Sequence, residues 1–388
     1  MENGKRLIKG FFTVLILISF TVTALLGGLL ITNYDNISQL IQVTALVRSE
    51  FLWPVETGQL IEGAIEGMVN SLGDEYSAYM NAEKFQELQS HIQGAFGGIG
   101  IYVGIRENKI TVIAPIEGTP GFKAGIKAGD VIAKINDRAT ENMDIDEAVG
   151  LMKGEPGTNV KVSIARPGVD KLLEFDITRE EINVPTVEGE ILEENPDIAY
   201  LRIAMFASNT DEALNAEMEE LSKHDYKALI IDLRDNPGGD LHTVVNIANH
   251  FIPAGPVVHI VNNDNRTETL SAMGQNIKVP IVVLINGGSA SASEILAGAI
   301  KDTGVGTLVG TTTFGKGIVQ SIFFLNEGAG LKLTTAKYLT PNKNDIHLKG
   351  IKPDILVELP EFVPGQREIP EDTQKLKAIE VLKAKIKS

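Results

Sequence analysis

The sequence predicts an α/β fold, a core of buried parallel strands and helices that carries a β-rich insert and flanking helices. Three observations point there. Ala228 to Leu233 and Val282 to Ile285 are near-continuous apolar runs, the pattern of strands buried on both faces. Each run breaks at a glycine-bearing turn and passes into a helical pattern, the alternation that marks α/β proteins. Between Gly94 and Glu180 the composition shifts instead to glycine and short β runs. At 388 residues the chain has room for two or three domains. The expected divisions are 1–35, 36–91, 92–183, 184–360 and 361–388.

The first division opens with Lys5, Arg6 and Lys9, followed by Gly10 to Ile31, which contains no charge. A helix of that length spans a bilayer, and no convincing A-x-A cleavage site follows it. Basic residues ahead of a span stay cytoplasmic. The expectation is therefore a single-pass anchor in the cell membrane, with a cleaved signal as the alternative, and in either case the remainder of the chain on the extracytoplasmic side. Residues 36–91 read as helices: Ile37, Leu40, Ile41, Val43, Leu46 and Val47 form one apolar stripe, and Leu60, Ile61, Ala64, Ile65 and Met68 another. Helices of this kind, outside a core, pack against partner chains. A homo-oligomer through the terminal helices is the matching expectation.

In 92–183, Gly97-Gly98-Ile99-Gly100-Ile101 opens a strand, Ile110 to Ala114 is a second, and Val160 to Ile164 closes the region as another. Asp144 to Lys153 is a short amphipathic helix, with Asp144 and Glu147 spaced as a capping box. Successive N–H groups in a glycine-rich turn form an anion nest, and a strand edge beside a helix takes an extended peptide. The glycines alone would also fit an ordinary hairpin turn. In 184–360, Ile198 to Ile203 is a strand and Thr210 to Lys223 an acidic helix. Arg234 to Leu241 ends the next strand, and a helix runs on to His250. Leu331 to Tyr338 is a later strand, and Asp372 to Lys387 closes the chain as a helix with a basic end.

Composition narrows the chemistry. A net charge of -16 disfavours nucleic acid as a partner. The absence of cysteine excludes disulfides, thiolate metal sites and cysteine nucleophiles. No H-E-x-x-H motif occurs, so no metal is expected.

After Val282 to Ile285 the chain reads Asn286-Gly287-Gly288-Ser289-Ala290-Ser291-Ala292-Ser293, with a helical pattern from Glu294 to Lys301. A serine at such a junction stands beside backbone N–H groups at a helix N-terminus, which supplies a nucleophile and donors for the resulting oxyanion. Residue chemistry does not choose among the three serines, and Ser291-Ala292-Ser293-Glu294 is also a plain capping box. The base is the next question. The six histidines (His91, His224, His242, His250, His259, His347) are scattered singly, and neither G-x-S-x-G nor S-x-x-K is present. Lys316, between Gly315 and Gly317 in an apolar neighbourhood, is the better candidate, because desolvation favours the neutral amine. Gly310 to Lys316 matches the first seven positions of a P-loop. Gly317 replaces its Ser or Thr, however, and Ile318 to Phe324 reads as a strand, so a nucleotide site is set aside.

Asn286 to Ile295, followed by Thr313-Phe314-Gly315-Lys316-Gly317-Ile318-Val319-Gln320, resembles the C-terminal processing (tail-specific) peptidases, serine endopeptidases with a Ser-Lys dyad. In that family's register Ser291 falls on the nucleophile, Lys316 on the general base and Gln320 on the residue that orients the lysine. Arg234-Asp235-Asn236-Pro237-Gly238-Gly239 also matches, and Gly239 falls on the residue whose N–H joins that of Ala292 in the oxyanion hole. Residues 92–183 look like a PDZ domain, with Gly97, Gly98, Ile99 and Gly100 as its carboxylate-binding loop, inserted before a crotonase-like core.

The likeness covers roughly 38–358. It departs at Gly73-Asp74-Glu75, where an Asp-Pro turn is usual, and at Asn342-Lys343-Asn344, which lacks a glycine. It implies a membrane-anchored endopeptidase that cleaves unfolded or C-terminally tagged proteins presenting a free C-terminus, with no cofactor. Arg166, at a strand end, is the candidate contact between the PDZ domain and the core. Two rival readings are a catalytically silent PDZ adaptor and a crotonase-like enzyme acting on acyl thioesters. Intact Ser291, Lys316 and Gln320 argue against the first; the second would bind acyl-CoA.

Overall fold

The computed structural model describes residues 34–106, 108–183, 185–275, 277–360 and 371–387. They divide into two compact units, Met1–Tyr79 and Met80–Ser388. The first unit contains α1 (Tyr34–Glu50) and α2 (Thr57–Asn70). Leu40, Ile41, Val43 and Leu46 on α1, and Ile61 and Met68 on α2, are exposed.

The expected placement as a single-pass cell-membrane protein is corrected here. Among the described residues no helix is long and apolar enough to cross a membrane. The longest, α1, has 17 residues, carries Asp35 in its first turn and Arg48 in its last, and falls short of a ~30 Å hydrocarbon core. The run from Gly10 to Ile31, on which that placement rested, lies outside the described residues.

After β1 (Ala78–Met80), the second unit begins with α3 (Ala82–Gln93). A β-rich domain follows, made of β2 (Ala95–Gly98), β3 (Ile101–Arg106), β4 (Lys109–Pro115), α4 (Pro120–Ala124), β5 (Val131–Ile135), β6 (Arg138–Ala139), α5 (Ile145–Met152), β7 (Asn159–Ala165), β8 (Leu173–Thr178) and β9 (Glu180–Asn183). Its sheet runs β3-β4-β5-β7-β8, with β6 paired to β5. Ile110 and Val112, and Val160 and Val162, alternate inward from their strands, and with Ile132 and Ile135, on either side of a register shift in β5, they form its core. The β8 hairpin was not anticipated, although Leu173, Phe175 and Ile177 alternate with charged residues along it. β2 pairs with β9 as a separate ribbon, Ala95 opposite Asn183.

The α/β core expected from the sequence follows. Its elements are β10 (Val187–Ile191), β11 (Ile198–Ile203), α6 (Thr210–Ser222), β12 (Ala228–Asp232), α7 (Leu241–Phe251), β13 (Gly255–Asn262), β14 (Thr267–Ala272), β15 (Ile281–Ile285), α8 (Ala292–Thr303), β16 (Gly306–Gly310), β17 (Ile318–Phe324), β18 (Gly330–Leu339), β19 (Ile355–Leu356) and α9 (Thr373–Lys387). The main sheet is ordered β10-β11-β12-β15-β16-β19, parallel except for β10.

Successive residues of its strands serve opposite faces. Leu229 and Ile231 of β12, and Ile281, Val283 and Ile285 of β15, pack with α6, α7 and α8. Ala228, Ile230, Val282 and Leu284 pack on the other face with Ala378 and Leu382 of α9. Both faces are covered, which is why these strands are apolar at every step. A second, antiparallel sheet joins β14, β13, β18 and β17.

Candidate active site

Adjacent parallel strands β12 and β15 end side by side, and the turns that follow them form the site. Ligand sites of open α/β sheets gather at such carboxyl ends. The two turns are stitched together by short polar groups. Asn286 Oδ1 accepts from the Asp235 N–H at 2.9 Å, and Asn286 Nδ2 donates to Asp235 Oδ1 at 2.9 Å. Asn236 is fully buried; its Nδ2 donates to Ile203 O at 2.7 Å, and its Oδ1 accepts from the Gly238 N–H at 2.8 Å. Its carbonyl accepts from the Ala290 N–H at 3.0 Å and from Ser293 Oγ at 2.9 Å.

This geometry separates the three serines, which the sequence alone could not do. Ser289 and Ser293 are completely buried, and their hydroxyls donate to Leu233 O at 2.7 Å and Asn236 O at 2.9 Å. Both are structural. Ser291 is only half-buried and sits at the N-cap of α8 with φ 55° and ψ -114°. That conformation costs a non-glycine residue on the order of 1–3 kcal/mol.

Gly238 lies directly against it. A Cβ there would fall 2.7 Å from Ser291 Cβ and 2.9 Å from the Ala292 nitrogen, and φ is +100°. Because the Gly238 N–H is committed to Asn236, the next N–H groups matter more. Among the described residues, neither Gly239 nor Ala292 donates its N–H to a group of the turn.

Lys316 arrives on the loop Thr313–Gly317, between β16 and β17, and is half-buried. Glu294, fully buried on the first turn of α8, holds that loop to the serine. Its Oε2 accepts from the Ser291 N–H at 3.0 Å and from the Lys316 N–H at 2.8 Å. Its Oε1 accepts from Thr313 Oγ1 at 2.6 Å and from the Gly315 N–H at 2.8 Å. A carboxylate with four donors satisfies the rule that a buried charge must be fully bonded. From sequence Glu294 was only a capping-box residue. Its second role spans 22 positions and leaves no local signal.

Gln320 lies on β17 beside a register shift, with its Nε2 buried and without a hydrogen-bond partner among the described residues. The segment after Gly317 is a strand, as the dismissal of a P-loop required.

Of the expected carboxylate-binding loop, Gly97 and Gly98 lie in β2, opposite Glu181 and Glu180 of β9, and only Ile99 and Gly100 form the turn into β3; the carbonyls of this stretch are drawn into the β-rich domain. Gly97 O accepts from the Gly154 N–H at 3.0 Å and Ile99 O from the Gly121 N–H at 2.7 Å. Gly100 O accepts from the Ile116 N–H at 2.9 Å and from Thr119 Oγ1 at 2.9 Å. In planar trans peptides the N–H points opposite to the carbonyl, so the Gly100 and Ile101 N–H groups turn away from those donors. Arg166 does not reach the core. It grips the Asp130 carboxylate with two bonds, of 2.7 and 2.8 Å, and donates to Gly125 O. Burial opposes ionisation of Asp130, but the guanidinium and the Lys127 N–H outweigh it and hold the carboxyl below its ordinary range.

Comparison with known proteins agrees across the chain. The sequence profile of Peptidase family S41 matches residues 197–357, that of the PDZ domain 111–166, and that of the activating protease CtpB N-terminal domain 29–84. The chain is 38% identical to the carboxy-terminal processing protease CtpB of Bacillus subtilis (strain 168), over 82% of this chain and 67% of that protein. It is 36% identical to CtpA of the same organism, over 92% of this chain and 79% of that protein. Among solved structures it is similar to the photosystem II D1 C-terminal processing protease, with a TM-score of 0.50, 29% identity, and coverage of 90% and 92% of the two chains.

Proposed function

The chain belongs to peptidase family S41, the carboxy-terminal processing serine proteases, and carries a PDZ domain; on that premise we propose that it cuts through a Ser291–Lys316 dyad and selects substrates by their free C-termini. The neutral amine of Lys316 takes the proton of Ser291 Oγ as that oxygen attacks the scissile carbonyl. The N–H groups of Gly239 and Ala292 receive the oxyanion, each worth roughly 10²–10³ in kcat. Lys316 then gives its proton to the leaving amine, and water releases the acyl group by the same route in reverse. Gln320 directs the lysine.

The observation that carries this reading is the single oxygen of Glu294 that binds the backbone N–H groups of both Ser291 and Lys316. Residues 92–183 act as the tail-reading module, with Gly97, Gly98, Ile99 and Gly100 taking the terminal carboxylate and the edge of β3 the chain behind it. Residues 184–360 form the peptidase core, flanked by the helical region 36–91 and the helix within 361–388. The exposed apolar residues of α1 and α2 support self-association through the N-terminal helices.

The test is cleavage of one unfolded protein, with a free or an amidated C-terminus, by wild type and three variants. Ser291→Ala, Lys316→Ala and Lys316→Arg should all be inactive while folded, since guanidinium does not lose its proton. Wild-type activity should rise with pH and fall on amidation. Near-normal turnover by Lys316→Arg would end the dyad assignment, and indifference to amidation would end the tail-reading one.

A further inference from the structure

Tyr338 lies on β18 and is 2% exposed. Its two ends meet both halves of the site: its N–H donates to Gly317 O at 3.0 Å, and its hydroxyl donates to Ser291 O at 3.1 Å. The same carbonyl already accepts from the Glu294 N–H at 2.9 Å and the Ile295 N–H at 3.0 Å, the opening bonds of α8. A phenylalanine would fill the same apolar cluster, so packing does not explain the hydroxyl.

Ser291 O and the Ala292 N–H belong to one planar peptide group, and they point in opposite directions. The ψ of Ser291, -114°, sets the direction of that plane, and it lies outside the helical range. A third donor on the carbonyl therefore does two things to the N–H at the far end. It fixes the plane against the strain at Ser291, and it draws electron density toward the carbonyl oxygen, which makes the N–H a stronger donor.

We propose that Tyr338 is a positioning residue of the oxyanion hole, whose hydroxyl orients and polarises the peptide carrying the Ala292 N–H. The proposal rests on the reading of Ser291 and Ala292 above, and it assigns Tyr338 no contact with substrate. Burial, and then the nearby Glu294 carboxylate, push the phenol well above its ordinary value, so the hydroxyl stays a donor at every working pH. Its effect on rate is consequently independent of pH, unlike that of the base.

The experiment compares wild type, Tyr338→Phe and Ser291→Ala on a quenched fluorescent peptide with a free C-terminus, and measures binding of a peptide boronate that forms a tetrahedral adduct. Tyr338→Phe should lower kcat roughly five- to tenfold, with KM within about twofold. The ratio to wild type should stay constant across pH, and boronate affinity should drop by the same factor as kcat. Replacing Tyr338 with 4-aminophenylalanine, which restores a donor, should recover most of the rate. An unchanged kcat, a matching change in KM, or a shifted pH midpoint would each overturn the proposal; the last would place Tyr338 on the lysine instead. Activity retained by Ser291→Ala would overturn the dyad itself, a result separable from any of these.

Discussion

Glu294 shows how much of the site depends on one side chain that does no chemistry. Its carboxylate faces four donors and no acceptor. In Glu294→Gln one oxygen becomes an NH₂ that points at donors. We expect the variant to lose on the order of 3 kcal/mol of stability, and roughly 10²-fold or more in kcat as Ser291 and Lys316 drift apart. Unfolding in urea and steady-state kinetics on the same preparation check both numbers; wild-type turnover would remove Glu294 from the site. At this scale sequence reading was uneven. Ser291 and Lys316 could be singled out through family register, because the glycines around them are needed locally. Glu294, Asn236 and Tyr338 could not, since their partners lie tens of residues away and each looks ordinary in its own segment. Arg166 misled for the same reason: its partner Asp130 is 36 residues off, so a partly buried ion pair within the β-rich domain was taken for a contact with the core.

The turns after β12 and β15 are built around glycines with unequal tolerance. Gly238→Ala would add a methyl 2.7 Å from Ser291 Cβ at φ +100°, whereas Gly287, in the turn after β15, has open space around it. Gly238→Ala should therefore abolish peptidase activity and cost roughly 1–3 kcal/mol in backbone strain. Gly287→Ala should leave both within about 0.5 kcal/mol of wild type. Thermal unfolding and activity of the two variants, side by side, separate a wedge at Ser291 from a general dislike of alanine in turns; equal behaviour would count against the wedge. The strand-turn-helix units were legible because apolar runs and Gly-rich breaks are local signals. The order of the strands was not. β13 and β14 leave the main sheet between β12 and β15, and nothing in their own residues announces it.

Across the whole molecule the C-terminal helix closes the second face of the sheet, and one arginine fastens it. Arg234, two residues before Asn236, binds Asp232 at the end of β12 and Asp372 just ahead of α9. Burial raises the Asp372 carboxyl, but Arg234 and the Lys375 N–H outweigh it and leave the group below its ordinary range. A depressed carboxyl stabilises the fold at neutral pH, and that contribution disappears as pH falls from the unfolded value near 4 through the folded one. Asp372→Asn should lower Tm by roughly 2–4 °C at pH 7 and flatten its decline in acid, with kcat at low temperature unchanged; an unaltered acid limb would refute the linkage. The ribbon of β2 and β9 bears on a different matter. With Ala95 opposite Asn183, everything from β3 to β8 enters and leaves through one doorway about 5 Å wide. A module so attached is a cartridge. Its removal asks the surrounding chain to bridge only that one interstrand spacing, so a foreign recognition domain with adjacent ends could be spliced in there, and the same cutting machinery redirected to tails it never met.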